Sequence, residues 1–172
     1  PAGYLYNQLV NFKTGARQFP MMTYMVNHLP DAYLREIAEH FSQQHLAPLA
    51  SPPPALPAAV MERGRVLAMQ GDRAIGVPAC IACHGKALTG VAPSIPGLVG
   101  LPRDYVNAQF GAWKNKVRRA HPPDCMAAIA NRLSLADVSA VSGWLAAQPV
   151  LPSARPDTSI ARPLPIACGS AP

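Results

Sequence analysis

The sequence predicts an all-α fold, arranged as two tandem small helical domains with a proline-rich linker between them. Three observations carry this: apolar residues recur at helical spacing, one long stretch repeats another, and prolines crowd between the copies. The repeated stretches are residues 1–44 and 102–148. With Pro1 set against Pro102, Tyr4 meets Tyr105, Gln8 meets Gln109, and Phe12 meets Trp113. Lys13 then meets Lys114, and Arg17 meets Arg118. Three extra residues in the second copy move the offset from 101 to 104, after which Met22 meets Met126, Leu29 meets Leu133 and Gln44 meets Gln148. A period of roughly 100 residues marks two copies of one small domain and not a solenoid.

Each copy opens with a helix, because Tyr4, Gln8, Leu9 and Phe12 fall on one helical face, as do Tyr105, Gln109, Phe110 and Trp113. Each closes with an amphipathic helix. The first covers about 31–44, with Leu34, Ile37, Ala38 and Phe41. The second covers about 135–148, with Val138, Val141 and Leu145, and Ser134 is placed to cap it. Between the copies lies "HLAPLASPPPALPAAV", residues 45–60, whose prolines break helices and favour a semi-rigid extended linker. A further helix is expected over roughly 58–70, with Val60, Gly64, Leu67 and Ala68 along one side. From Pro149 the chain is proline-rich and aperiodic, so an extended or disordered tail is expected. The boundaries are therefore 1–48 for the back part of a first domain, 49–57 for the linker, 58–150 for a complete second domain, and 151–172 for the tail.

Composition narrows the function. Hydrophobic residues make up 49% of the chain and charged ones 14%, enough apolar mass for a packed core. Aromatics are only 6%, so a large planar cofactor would help fill that core. The net charge of +6 admits an acidic protein, an anionic membrane or a nucleic acid as partner. The densest basic stretch, Lys114 to His121, holds four cations and carries no nucleic-acid motif or stacking pattern, so no nucleic acid is expected. No apolar run reaches membrane-spanning length.

The chemistry centres on "VPACIACHGK", residues 77–86. Cys80 and Cys83 are separated by two residues, and His84 follows at once. On one helical turn this spacing sets two thiols to add across the two vinyl groups of a haem, with the imidazole under the iron; C-x-x-C-H reads as a c-type haem site. A structural zinc site would want a second ligand pair, and Cys125 and Cys168 are isolated from each other. A redox dithiol would want a thioredoxin-like strand-then-helix context, which the segment lacks. Met126, in the loop "HPPDCMAAI", is a candidate sixth ligand, since Met with His favours Fe(II) and raises the potential. A Met in such a place is ordinarily gap filler. Its recurrence as Met22, again seven residues before the matching Leu, favours ligation.

Taken together, "CIACH" at 80–84, "IPGLVG" at 95–100, the Met126 loop and the closing helix with Trp144 resemble class I cytochromes c. The duplication is similar to the tandem diheme members of that class in bacterial periplasms. The resemblance implies the cytochrome c fold, with haem c bound through Cys80, Cys83, His84 and Met126. It implies that Pro96 lends its carbonyl to the His84 N–H, where a plain turn is the alternative, and that Gly64 sits where the first helix crosses the last near Trp144. By repeat pairing Met22 would ligate a first haem, with Met21 and Met25 as close rivals. The first-copy partners of Cys80, Cys83 and His84 would fall before residue 1, so a longer natural chain with a second haem is expected; a degenerate half-domain is the alternative.

The expected function is a periplasmic one-electron carrier, not an enzyme, accepting from a dehydrogenase and passing electrons to an oxidase or another cytochrome. It could be held at the membrane through a partner. A diheme peroxidase and a non-haem thiol or zinc protein are the rivals. His121 could compete for iron but reads as solvated, and His28, His40 and His45 read as surface residues. Cys125 and Cys168 could form a disulfide in an oxidising compartment, although a tail cysteine more often stays unpaired. Arg118 and Arg119 could meet haem propionates or an acidic partner, or form a solvated basic face.

Overall fold

The computed structural model describes residues 1–44, 55–150, 154–159 and 163–171. Residues 49–54 of the expected linker and His45 lie outside the described residues. Helices dominate. In the first copy they are α1 (Ala2–Lys13), α2 (Pro20–Val26) and α3 (Asp31–Ser42). The second copy has α4 (Ala58–Met69), α5 (Ile81–His84), α6 (Arg103–Lys114), α7 (Cys125–Arg132) and α8 (Leu135–Ala146). Two hairpins of two-residue strands, which periodicity cannot detect, flank α5. Strand β1 (Gly71–Asp72) pairs antiparallel with β2 (Val77–Pro78), and β3 (Gly90–Val91) with β4 (Ile95–Pro96).

Local chemistry explains the boundaries. Pro20 sits in the first turn of α2, where its missing N–H costs nothing. Ser134 caps α8 in a reciprocal arrangement: its hydroxyl accepts from the Asp137 N–H, and the Asp137 carboxylate accepts from the Ser134 N–H. Asp124 caps α7 by accepting from the Ala127 N–H at 2.9 Å. Met126 therefore stands in the first turn of a helix and not in an open loop. The sequence pattern missed α7 because it is short and begins among prolines.

The repeat is visible as geometry. Helix α1 packs on α3 as α6 packs on α8. Lys13 donates to Leu29 O at 2.5 Å, and its equivalent Lys114 donates to Leu133 O at 2.6 Å. The second core is the larger, with Leu67, Ala68, Val106, Phe110, Leu133, Val141 and Leu145 buried together. There α4 crosses α8 at Gly64. A Cβ on Gly64 would stand 2.7 Å from Trp144 Cβ and closer still to the Ala140 carbonyl oxygen, so the crossing requires glycine. The first core holds Phe12, Val26 and Leu34, and among the described residues nothing there corresponds to α4. Consequently Phe41 is 61% exposed while its equivalent, Leu145, is 1% exposed.

The copies meet through equivalent residues. Arg17 and Arg118 face each other in an antiparallel bridge. Gln18 N–H donates to Val117 O at 2.8 Å, and its counterpart Arg119 N–H donates to Ala16 O at 2.7 Å.

Candidate cofactor site

Cys80, Cys83 and His84 lie on one helical turn, with the His84 N–H donating to Cys80 O at 2.8 Å. His84 is buried, and its Nδ1 lies 2.8 Å from Pro96 O. A carbonyl only accepts, so Nδ1 carries the proton and Nε2 keeps its lone pair. Burial lowers the imidazole pKa, and the Pro96 bond opposes this only in part, so the ring is held in the neutral form that a metal requires. The β3–β4 hairpin positions the acceptor, because Pro96 is paired there with Gly90.

His84, Cys80, Cys83 and Met126 all line one cavity of about 240 Å³. Its walls are mostly apolar and come from Leu67 on α4, Phe110 on α6, Ile129 on α7 and Leu145 on α8. Interiors rarely hold voids much larger than a water molecule. The site is shaped for a large apolar occupant.

One end of the cavity is polar. The Trp113 Nε1–H is buried there without a hydrogen-bond partner. Arg118 lies over the Trp113 ring, 4.0 Å from its centroid, and is 5% exposed. Its guanidinium donates to Gln109 Oε1 at 2.5 Å, Gln8 Oε1 at 3.1 Å and the Tyr4 hydroxyl at 3.1 Å. Among the described residues no carboxylate pairs with it. A buried cation without an anion, beside an unanswered N–H, calls for an acidic group in the cavity. An apolar planar group with carboxylates at one edge fits both ends, and haem has that character. Of the two readings open for Arg118, the solvated basic face does not hold: the junction between the copies buries it. Arg119 is exposed.

The rival chemistries fare poorly. Burial pushes the Cys80 thiol up to about 12 and the Cys83 thiol up as well, the reverse of a reactive thiolate pair. Among the described residues no three His, Cys, Asp or Glu side chains gather to hold a metal ion. His28, His40 and His121 are exposed. Met22 packs against the first core with Phe12, Val26 and Leu34, while Met21 is 64% and Met25 60% exposed.

Of the two states the sequence left open for Cys125 and Cys168, the structure shows the disulfide, 43 residues apart. The described tail residues 163–171 run through bends and a turn and are packed, not free: Leu164 and Cys168 lie with Val91, Ile95 and Ala171. Neither pairing nor packing leaves a periodic signal in so short a proline-rich segment.

A helical domain closing around a C-x-x-C-H turn, with a carbonyl-held imidazole in an apolar cavity, defines the class I cytochrome c architecture. The comparisons agree. The chain is 39% identical over 153 residues to the thiosulfate dehydrogenase electron acceptor of Thiomonas intermedia, covering 89% of this chain and 70% of that one. It is 30% identical over 144 residues to cytochrome c4 of Pseudomonas aeruginosa, covering 83% and 69%. Among solved structures it superposes on thiosulfate dehydrogenase (TsdBA) from Marichromatium purpuratum with a TM-score of 0.76 at 31% identity, spanning 86% of this chain and 31% of that one. No family model matches. The chain belongs to the diheme class I cytochromes c, the family of cytochrome c4 and the thiosulfate dehydrogenase electron acceptors. It is a c-type electron carrier using covalent haem c, not an enzyme.

Proposed function

We propose that Cys80 and Cys83 would hold the haem as thioethers, and that His84 Nε2 and Met126 Sδ would ligate its iron. The observation that carries this is the buried His84 ring, fixed by Pro96 O in the cavity that both thiols and Met126 line. The bound haem supplies a one-electron Fe(III)/Fe(II) couple. The protein's residues do the rest. Pro96 O orients His84 and raises its donor strength. The apolar walls exclude water, and Trp113 and Arg118 receive the acidic edge. By repeat pairing and its inward packing, Met22 is the sixth ligand of a second haem in the first copy.

The electron donor is a dehydrogenase of the thiosulfate-oxidising kind, and an oxidase or another cytochrome takes the electron onward. Support comes from the relative named as that enzyme's electron acceptor and from the net charge of +6, which suits an acidic partner face. The protein works in the periplasm, where the Cys125–Cys168 disulfide persists. Among the described residues no helix is long and apolar enough to cross a membrane.

Intact mass after expression with haem maturation tests the attachment: the haem increment should be present, and its absence would remove the reading. Cys80→Ala/Cys83→Ala should lose one haem by pyridine haemochrome. For the donor, stopped-flow mixing of the ferric protein with a thiosulfate dehydrogenase and thiosulfate should show reduction that falls steeply with ionic strength.

A further inference from the structure

The described tail residues contact the β3–β4 hairpin that orients His84 and the start of α7 that carries Met126. On the His84 side, Asp157 N–H donates to Gly90 O at 2.9 Å, and Ala92 N–H donates to Asp157 O at 2.8 Å. Gly90 belongs to the hairpin that presents the Pro96 carbonyl to His84. On the Met126 side, Cys168 is bonded to Cys125, the residue immediately before Met126. Gly169 N–H donates to Pro123 O at 2.9 Å, and the His121 N–H donates to Ser170 Oγ at 3.3 Å. The approach is close enough to demand glycine: a Cβ on Gly169 would stand 2.6 Å from the Pro122 carbonyl carbon. From this segment Leu164, Ile166, Cys168 and Ala171 form part of the cavity wall.

The start of α7 is held from within as well. Asp124 accepts from Ala120 N–H at 2.7 Å and from Ala127 N–H at 2.9 Å. The first copy has Pro20 at the position equivalent to Asp124 and no cysteine beside Met22. The second copy thus carries a restraint on its methionine that the first lacks.

We propose that segment 163–171, latched by the Cys125–Cys168 disulfide, is a positioning strap. It holds the start of α7 so that Met126 stays on the iron, and it closes the cavity to outside ligands. Cys125 and Cys168 are positioning residues and touch no reacting atom. The proposal rests on the Met126 reading above.

The test uses the ferric holoprotein and Cys168→Ser. Imidazole is the probe ligand, and its binding rate is read by absorbance. The weak red charge-transfer band of methionine-ligated ferric haem and the reduction potential are followed alongside. Cys168→Ser should bind imidazole about tenfold faster or more, the scale of loss when an outer partner of a metal ligand is removed. It should also weaken the band and lower the potential. Should the variant fold poorly, wild type is reduced with a phosphine, blocked with N-ethylmaleimide and reoxidised with ferricyanide; the same changes are expected. Unchanged imidazole rate, band and potential in a protein shown by thiol counting to lack the disulfide would overturn the strap. If wild type itself lacks the band, the Met126 reading fails separately. The strap is then judged on imidazole access alone, and equal access with and without the disulfide ends it.

Discussion

Arg17 and Arg118, equivalent residues of the two copies, stand side by side at the junction and donate to the same two glutamine oxygens. Arg17 reaches Gln8 Oε1 at 3.0 Å and Gln109 Oε1 at 2.9 Å, and Arg118 reaches the same pair from the other copy. Arg17 also bonds the Tyr105 hydroxyl as Arg118 bonds that of Tyr4. Two like charges this close would repel, and burial lowers the Arg118 pKa, with Arg17 adding to the effect. Acidic cofactor edges directed at this junction would relieve both.

Replacing Arg118 should therefore loosen the contact between the copies. Arg118→Ala removes buried donors from Tyr4 and Gln8, a loss of about 2 kcal/mol on the scale of unsatisfied buried groups. Urea titration of the holoprotein, followed by far-ultraviolet dichroism, measures it. A change within error would show that the junction contributes nothing to folding.

At the α4–α8 crossing two effects compete in Gly64→Ala. Alanine gains about 1 kcal/mol over glycine in a helix. Overpacking costs about 1–3 kcal/mol, and here the obstacle includes the Ala140 backbone, which cannot rotate away. The clash should win, lowering the melting temperature on a calorimetric scan, and Gly64→Val should lower it further.

Met126→Ala should retain the covalent haem, weaken the red charge-transfer band, lower the potential of that haem and bind cyanide faster. Redox titration and rapid mixing check this. An unchanged potential would assign the ligand elsewhere.

A pH dependence follows from Asp137. Burial raises its pKa, but bonds from Ser134 and Arg63 outweigh this and hold it below the ordinary value. The folded pKa lies under the unfolded one, so the stabilisation is present above the unfolded pKa and is lost as pH falls through the folded value. Asp137→Asn should cost about 1 kcal/mol at neutral pH. The gap from wild type should shrink below about pH 4, near the unfolded carboxyl pKa, in urea midpoints taken at several pH values.

Much of the site was legible because it is local. Cys80, Cys83 and His84 are placed by one helical turn, and any chain with that spacing presents them together. The repeat was legible because a conserved internal pairing, Tyr4 with Tyr105 or Lys13 with Lys114, survives as residue identity. Met126, singled out in the sequence only through its echo in Met22, lines the same cavity as His84. Helix α7 and both hairpins were not, being shorter than the periods that would reveal them.

By itself the sequence determined the C-x-x-C-H turn, the duplicated helices and the class of protein, since all three are written in spacing along the chain. Tertiary structure decided what distant segments do to one another. It buried Arg118 against the opposite copy, turned the Pro96 carbonyl onto His84, and drew Cys168 back over 43 residues to Cys125. Such contacts depend on how surfaces meet after folding, and composition and periodicity carry no record of that.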